Sequence, residues 1–145
     1  MRQPLVAGNW KMNGSRESVA SLLDGVKAGI GDVKVAEVAV CPPSVFIPET
    51  QARLAGTPVG WGGQDLSVHE KGAYTGELAA SMLRDFGCSY VIIGHSERRT
   101  YHAEGDELVA EKYEAALNGG LIPIFCIGET LDESCLLYTS PSPRD

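Results

Sequence analysis

Short apolar runs alternate along this chain with longer segments in which apolar residues recur every three or four positions. The runs predict five strands, over residues 5–9, 37–41, 59–62, 90–94 and 122–127. Their starts recur about every thirty residues, a spacing typical of a strand followed by a helix. Residues 90–93 lack polar alternation, as expected for a parallel strand covered on both faces. The pattern therefore predicts an α/β protein with a parallel sheet.

Four amphipathic helices are predicted between these strands. The first has Ser15 as its N-cap, and the second runs from after Ser44 to about residue 55. The third begins after Thr75, and the fourth covers residues 106–117. The side chains expected to face inward share a helical spacing: Val19, Leu22, Leu23, Val26 and Ile30 in the first helix, Leu78, Met82, Leu83 and Phe86 in the third, and Leu108, Val109, Tyr113, Ala116 and Leu117 in the fourth.

The alternating pattern stops after the fifth predicted strand. A helix is expected to begin near Leu131, but residues 134–145 contain two prolines and lack a helical stripe. We expect residues 1–133 to form one structural unit. Residues 134–145 are expected to be an unrelated tail, left by a truncation or a change of reading frame, and a flexible tail is the alternative.

The charge of the chain argues against a nucleic-acid surface. The formal net charge is −7, and the longest basic cluster is the pair Arg98 and Arg99, whereas binding to phosphates needs a concentrated basic patch. No apolar run approaches the roughly 20 residues of a membrane-spanning helix. The first residues also lack the apolar stretch of a secretory signal. A cytoplasmic protein with neither nucleic-acid nor membrane partners is therefore expected.

The cysteines do not indicate a disulfide framework or a metal site. Cys41, Cys88, Cys126 and Cys135 stand far apart in the sequence and share no ligand spacing with the histidines. We expect the first three to be small buried apolar residues near the strands.

Two polar clusters follow predicted strands. Asn9 and Lys11 follow the first strand, and His95 and Glu97 follow the fourth. Taken singly, such a lysine is usually a solvated surface charge, and a lone histidine is more often structural than catalytic. Periodicity does not separate a doubly wound sheet from a (β/α)₈ barrel. In a barrel, however, both clusters lie on the same carboxyl rim and can converge on one pocket.

Five sequence segments carry a family resemblance. Residues 7–13 are AGNWKMN, 62–65 are GGQD, 72–77 are GAYTGE, 91–99 are VIIGHSERR and 126–129 are CIGE. In this order and at this spacing they closely resemble the triosephosphate isomerase family. The resemblance covers residues 1–133 and implies the N-terminal half of a (β/α)₈ TIM barrel, about four βα units plus the fifth strand, truncated relative to the family.

The resemblance implies an isomerase of glycolysis and gluconeogenesis that needs no metal or organic cofactor. Its substrates would be dihydroxyacetone phosphate and glyceraldehyde 3-phosphate, interconverted through an enediolate. Asn9 and Lys11 would contact this substrate, and the Lys11 ammonium would counter the charge of the phosphate and the enediolate. The catalytic His95 would polarise the carbonyl as a neutral imidazole, as the family's histidine does. Lys11 and Glu97 would be catalytic residues together with His95, and Glu97 would lie close to both of the others.

The polar loop from Gln64 to Gly76 is typical of an exposed loop when taken alone. The resemblance implies that it inserts into a second subunit of a homodimer, with Thr75 near the partner's Asn9 and the partner's Lys11. A non-catalytic half-barrel that associates with other subunits through this loop is the alternative function. Another sugar-phosphate barrel enzyme is a further alternative, which the pairing of the two polar clusters disfavours.

The departure from the family concerns the catalytic base. In the family, the glutamate base, the closing lid and the loops that hold the phosphate lie in the second half of the chain. No acidic residue within 1–145 matches that base. We therefore expect this polypeptide, taken alone, to be inactive.

Overall fold

The sheet is parallel, and its strands lie side by side in the order in which they occur along the chain. The computed structural model describes residues 3–127, and each of its strands pairs with the one before it. The strands are β1 (Leu5–Asn9), β2 (Glu37–Cys41), β3 (Gly60–Gly63), β4 (Tyr90–Ile93) and β5 (Ile122–Phe125). A doubly wound sheet reverses its strand order at a switch point, whereas the strands of a barrel follow in sequence. The observed order is therefore that of the first five strands of a barrel.

Five helices lie between consecutive strands. They are α1 (Arg16–Gly29), α2 (Ile47–Leu54), α3 (Ala80–Asp85), α4 (Ser96–Tyr101) and α5 (Asp106–Asn118), with 3₁₀ turns at Ile30–Asp32 and Ser44–Phe46. The predicted α/β class with a parallel sheet is confirmed. No helix within residues 3–127 is long and apolar enough to cross a membrane.

The predicted strand bounds hold for β1 and β2 and shift for the others. β3 begins and ends one residue later than predicted. β4 ends before Gly94, because this residue has φ +69°, outside the extended region. β5 ends at Phe125 instead of continuing to residue 127.

Helix α1 confirms its predicted start. Ser15 is the N-cap: its Oγ accepts from the Ser18 N–H at 3.1 Å, and the Ser18 Oγ accepts from the Ser15 N–H at 2.8 Å. Val19 and Leu23 are buried, but Leu22 is 49% exposed, so its predicted inward position is wrong. On a helix of 3.6 residues per turn, Leu22 lies on the flank of the stripe that begins at Val19.

Helix α3 begins later than predicted, at Ala80 instead of directly after Thr75. The preceding residues are held in the loop, since the Leu78 carbonyl accepts from the Ser67 N–H at 2.8 Å. Leu83 is buried, whereas Met82 and Phe86 are largely exposed, contrary to the prediction. The residues that were expected to form the first turn of the helix therefore belong to the preceding loop.

Helix α5 starts as predicted and buries a different face. Val109 and Ala116 are buried, but Tyr113 and Leu117 are exposed, and Lys112 is buried instead. The Lys112 ammonium forms ion pairs with the Asp65 and Glu104 carboxylates. These ion pairs account for the inward position of a charged residue.

The cysteine prediction holds for two of the three described thiols. Cys41 and Cys88 are buried, whereas Cys126 is only half-buried. Burial raises the pKa of the Cys41 thiol to about 12 and that of Cys88 to about 11, so both stay protonated near neutral pH. Cys135 lies outside the described residues.

Candidate functional site

The predicted site residues meet at the carboxyl end of the sheet. Asn9 ends β1 and Lys11 follows it, while His95 lies two residues beyond the end of β4. Together with Glu97 and Gln64 they line one cavity of about 670 Å³. The two polar clusters, eighty-odd residues apart in the sequence, therefore share one pocket. Thr75 is exposed and is not among the residues that line this cavity.

Lys11 has a strained backbone held by two amide side chains. Its φ is +55°, a left-handed conformation that costs a non-glycine residue about 1–3 kcal/mol. The Lys11 N–H donates to Asn9 Oδ1 at 2.9 Å, and Gln64 Nε2 donates to the Lys11 carbonyl at 2.8 Å and to the Cys41 carbonyl at 2.9 Å. These bonds hold the conformation. The first of these bonds engages the Asn9 amide oxygen as an acceptor, and the NH₂ group of the same amide can donate to a ligand.

Gln64 has a structural role in the site that the sequence did not predict. It was predicted only as part of a dimer loop, but its side chain ties the loop after β3 to the backbone of Lys11. The signal for this was its place at the end of a strand on the same rim as Asn9.

The Lys11 ammonium is paired with Glu97 across the cavity. Nζ lies 2.8 Å from Glu97 Oε1, and both side chains are about half exposed, at 52% and 45%. The hydrogen bond from Lys11 lowers the pKa of Glu97 below its usual value. Glu97 is therefore ionised at neutral pH and forms an ion pair with the ammonium in the pocket.

His95 is the N-cap of α4, and its ring is oriented by the helix backbone. The Glu97 N–H donates to His95 Nδ1 at 3.1 Å, whereas the Glu97 carboxylate oxygen lies farther from Nδ1, at 3.6 Å. An N–H can donate only to an unprotonated nitrogen. In this geometry the imidazole is therefore neutral and carries its proton on Nε2.

We expect nitrogen-15 NMR of the 145-residue chain near neutral pH to show this tautomer. His95 should give one protonated and one unprotonated ring nitrogen, with Nε2 carrying the hydrogen. The signals are assigned by their loss in His95→Gln. His69, stacked on Tyr74 at 3.8 Å, and His102 serve as internal references. A doubly protonated His95 ring, or a proton on Nδ1, would contradict the geometry.

An ionic cluster lies beside the pocket, with Lys112 and Glu104 buried and Asp65 and Arg98 partly exposed. Lys112 Nζ is 2.6 Å from Glu104 Oε2 and 2.8 Å from Asp65 Oδ1. Arg98 Nε is 2.7 Å from Glu104 Oε2, and Arg98 Nη2 is 3.2 Å from Asp65 Oδ2. The cluster joins the loop after β3 to α4 and α5. It therefore fixes the helix that carries Glu97 against the loop that carries Gln64.

The two carboxylates of this cluster differ in their environment. Burial is the largest influence on Asp65 and raises its pKa, against the opposing hydrogen bond from Lys112. Burial also acts on Glu104, but the hydrogen bonds from Lys112 and Arg98 outweigh it and lower that pKa. Sequence reasoning missed this cluster; its only signal was a lysine between Val109 and Ala116 in the apolar stripe of α5.

Some predicted features fall outside the described part of the chain. Gly128 and Glu129 of the CIGE segment lie beyond it, as do residues 134–145 with their predicted tail. Within residues 3–127, no group of three His, Cys, Asp or Glu side chains is placed to hold a metal ion.

Comparison with known proteins gives one consistent result. A family model described as triosephosphate isomerase matches residues 4–136. The triosephosphate isomerase of Methylococcus capsulatus is 56% identical over 133 residues, which are 92% of this chain and 53% of the relative. That of Coxiella burnetii is 57% identical over 129 residues, 89% of this chain and 51% of the relative.

A solved structure agrees with the sequence relatives. The crystal structure of triosephosphate isomerase from Bartonella henselae superposes with a TM-score of 0.85 at 41% identity, over 93% of this chain and 56% of that one. This chain therefore spans about half the length of the curated relatives it matches.

Proposed function

Because this chain belongs to the triosephosphate isomerase family, we propose that it supplies the electrophilic part of a site that interconverts dihydroxyacetone phosphate and glyceraldehyde 3-phosphate. One observation carries the proposal: the Lys11 ammonium and the His95 imidazole, whose Nδ1 accepts the Glu97 N–H, line one cavity. A cavity of about 670 Å³ accommodates a triose phosphate, which is smaller than most ligands of such pockets.

Lys11 would bind the anionic parts of the substrate. Its ammonium is paired with Glu97 at 2.8 Å, so its position is set before a substrate arrives. A positioned cation stabilises the negative charge of the phosphate and the charge that develops on the enediolate oxygen. The other cation on the cavity wall, Arg98, already contacts Asp65 and Glu104, which favours Lys11 for this role.

His95 would polarise the substrate carbonyl. Its Nδ1 accepts the Glu97 N–H, so the proton on Nε2 is the one available to a substrate oxygen. A neutral imidazole can donate this hydrogen bond and stabilise the enediolate oxygen. The Asn9 NH₂ group would add a second donor, since its carbonyl oxygen is engaged by the Lys11 N–H.

Isomerisation also requires a base that moves a proton from one carbon to its neighbour. The carboxylates lining the cavity are those of Asp65, Glu97 and Glu77. Asp65 contacts Lys112 and Arg98, Glu97 contacts Lys11, and Glu77 makes no ion pair within residues 3–127. The hydrogen bond from Lys11 lowers the pKa of Glu97 and makes it a poor base, while Asp65 has both oxygens engaged in ion pairs. We propose that the proton-transferring carboxylate comes from the remainder of the barrel, as in the family, and Glu77 is the alternative within this chain.

The same proposal includes a homodimer acting in the cytoplasm, in glycolysis and gluconeogenesis. The loop from Gln64 to Gly76 would be the contact, because Thr75 is exposed and the rings of His69 and Tyr74 stack at 3.8 Å and stiffen it. In that dimer, Thr75 would approach the partner's cavity.

The test joins residues 1–127 to the remaining segment of the Methylococcus capsulatus relative, produced in a host that lacks its own isomerase. The joined chain should isomerise triose phosphates. Lys11→Met should lower kcat/KM by about 10²–10³-fold, because it removes a positioned charge, and should leave the unfolding midpoint nearly unchanged. Lys27→Met, on the exposed last turn of α1, is the matched control. A folded joined chain with no activity would contradict the proposed function and leave the non-catalytic half-barrel.

A further inference from the structure

Arg99, in α4, makes three side-chain hydrogen bonds that serve none of the roles described so far. Its side chain is 17% exposed. Nε donates to the Gly94 carbonyl at 2.8 Å, Nη2 to the Cys126 carbonyl at 3.3 Å, and Nη1 to Asp106 Oδ1 at 2.6 Å. One guanidinium thus joins the ends of β4 and β5 to the start of α5.

The guanidinium adds side-chain hydrogen bonds at the carboxyl ends of β4 and β5. The Cys126 N–H donates to the Ile93 carbonyl at 2.9 Å, a backbone bond just beyond the paired residues of β4 and β5. The next residue, Gly94, has φ +69° and so leaves the extended conformation of the strand. Arg99 bridges the two carbonyls that follow, those of Gly94 and Cys126. It therefore sets how far apart the two strand ends lie.

Both carbonyls that flank the His95 backbone are held by Arg99. The side chain binds the Gly94 carbonyl, and the Arg99 N–H donates to the His95 carbonyl at 3.1 Å. The backbone at Gly94 is tightly packed, since a Cβ on this residue would lie 2.8 Å from the Cys126 oxygen and 2.8 Å from Val109 Cγ1. The direction in which the imidazole leaves the strand is therefore determined largely by this contact.

We propose that Arg99 is a positioning residue for His95, a role that rests on the proposed function of His95 as electrophile. Arg99 fixes the Gly94–His95 peptide so that Nδ1 meets the Glu97 N–H and Nε2 remains directed to a substrate. The planar fork is required, because a lysine ammonium does not supply donors in these three fixed directions.

Kinetics of the joined chain test the role. Arg99→Met should lower kcat about 10- to 100-fold, since a displacement of about 1 Å at a reacting group costs up to about 10²-fold. KM should change little, and Arg99→Lys should be intermediate. Arg53→Met is the matched control: it removes the same charge from a surface pair with Asp24 and Glu49, and should leave kcat unchanged.

The ring signals of His95 in the 145-residue chain give a second readout that does not depend on activity. Arg99→Met should shift or broaden the His95 nitrogen signals and leave those of His69 and His102 in place. If Arg99→Met does not fold, Asp106→Ala removes one of the three contacts at a side chain that is 94% exposed. It should shift the His95 signals in the same direction by a smaller amount.

Two outcomes overturn the proposal. One is a folded Arg99→Met variant with the parent's kcat and His95 signals, even if its unfolding midpoint falls, because Arg99 would then be only structural. The other is an Asp106→Ala variant with unchanged His95 signals when Arg99→Met does not fold. If the joined parent chain is inactive, the proposed function fails, and the His95 signals still decide whether Arg99 orients the ring.

Discussion

Purified free of host isomerase, the 145-residue chain should convert glyceraldehyde 3-phosphate no faster than buffer. Its cavity holds an electrophile, but Asp65 is held by Lys112 and Glu97 by Lys11, each at 2.8 Å. General base catalysis contributes about 10²–10⁴-fold, and the groups that orient a substrate contribute about 10²-fold or more. A rate at least about 10⁴-fold below that of the joined chain is therefore expected in a coupled assay.

Three variants identify the source of any signal in that assay. Activity that persists in Lys11→Met comes from contaminating host enzyme. Glu77 also lines the cavity and makes no ion pair within residues 3–127, so it is the carboxylate to test. Activity lost in both Lys11→Met and Glu77→Gln, but kept in Glu114→Gln on the exposed face of α5, would contradict the prediction and identify a base in this segment.

Replacing Lys112 by methionine should lower the free energy of unfolding by about 3 kcal/mol. The Lys112 and Glu104 side chains are 7% and 3% exposed, and methionine leaves the Glu104 charge buried beside fewer donors. Breaking a buried ion pair costs about 3–5 kcal/mol. The lower value applies because Arg98 still contacts both Glu104 and Asp65. Urea unfolding followed by circular dichroism measures the change.

A double variant separates two contributions to the loss of stability: the buried Glu104 charge left without Lys112, and the loss of side-chain packing. Lys112→Met with Glu104→Leu removes both charges, leaves the Arg98–Asp65 pair at 3.2 Å, and should recover most of the lost stability. Arg53→Met, at a surface pair, should change stability little. A single variant as stable as the parent, or a double variant less stable than the single, would show that the cluster does not act through buried charge.

Elements whose signals are local were predictable from the sequence. β1 and β2 have the predicted bounds because each is a short apolar run. Helix α1 begins after Ser15 because a serine cap needs only the N–H three residues away. The predicted start of α3 was wrong because the Ser67 N–H donates to the Leu78 carbonyl and keeps this residue in the loop. No local sequence pattern indicates that contact.

The candidate site was predictable in its residue types and not in its details. Asn9 and His95 follow strands of one parallel sheet, so their meeting at one rim follows from the fold class. The strained backbone of Lys11 did not follow from it. That conformation depends on Gln64, which lies 53 positions away in the sequence.

The sequence by itself determined the alternation of strands and helices, the capped start of α1, and the residues offered at the strand ends. Each depends on neighbours within about one turn or one strand. Only the tertiary structure decided that Lys112 faces inward and that Arg99 joins the ends of β4 and β5. Lys112 meets Asp65 across 47 positions, and Arg99 meets Cys126 across 27. A buried charge or a bridging guanidinium is stable only where the folded chain supplies its partners, and the sequence pattern does not locate those partners.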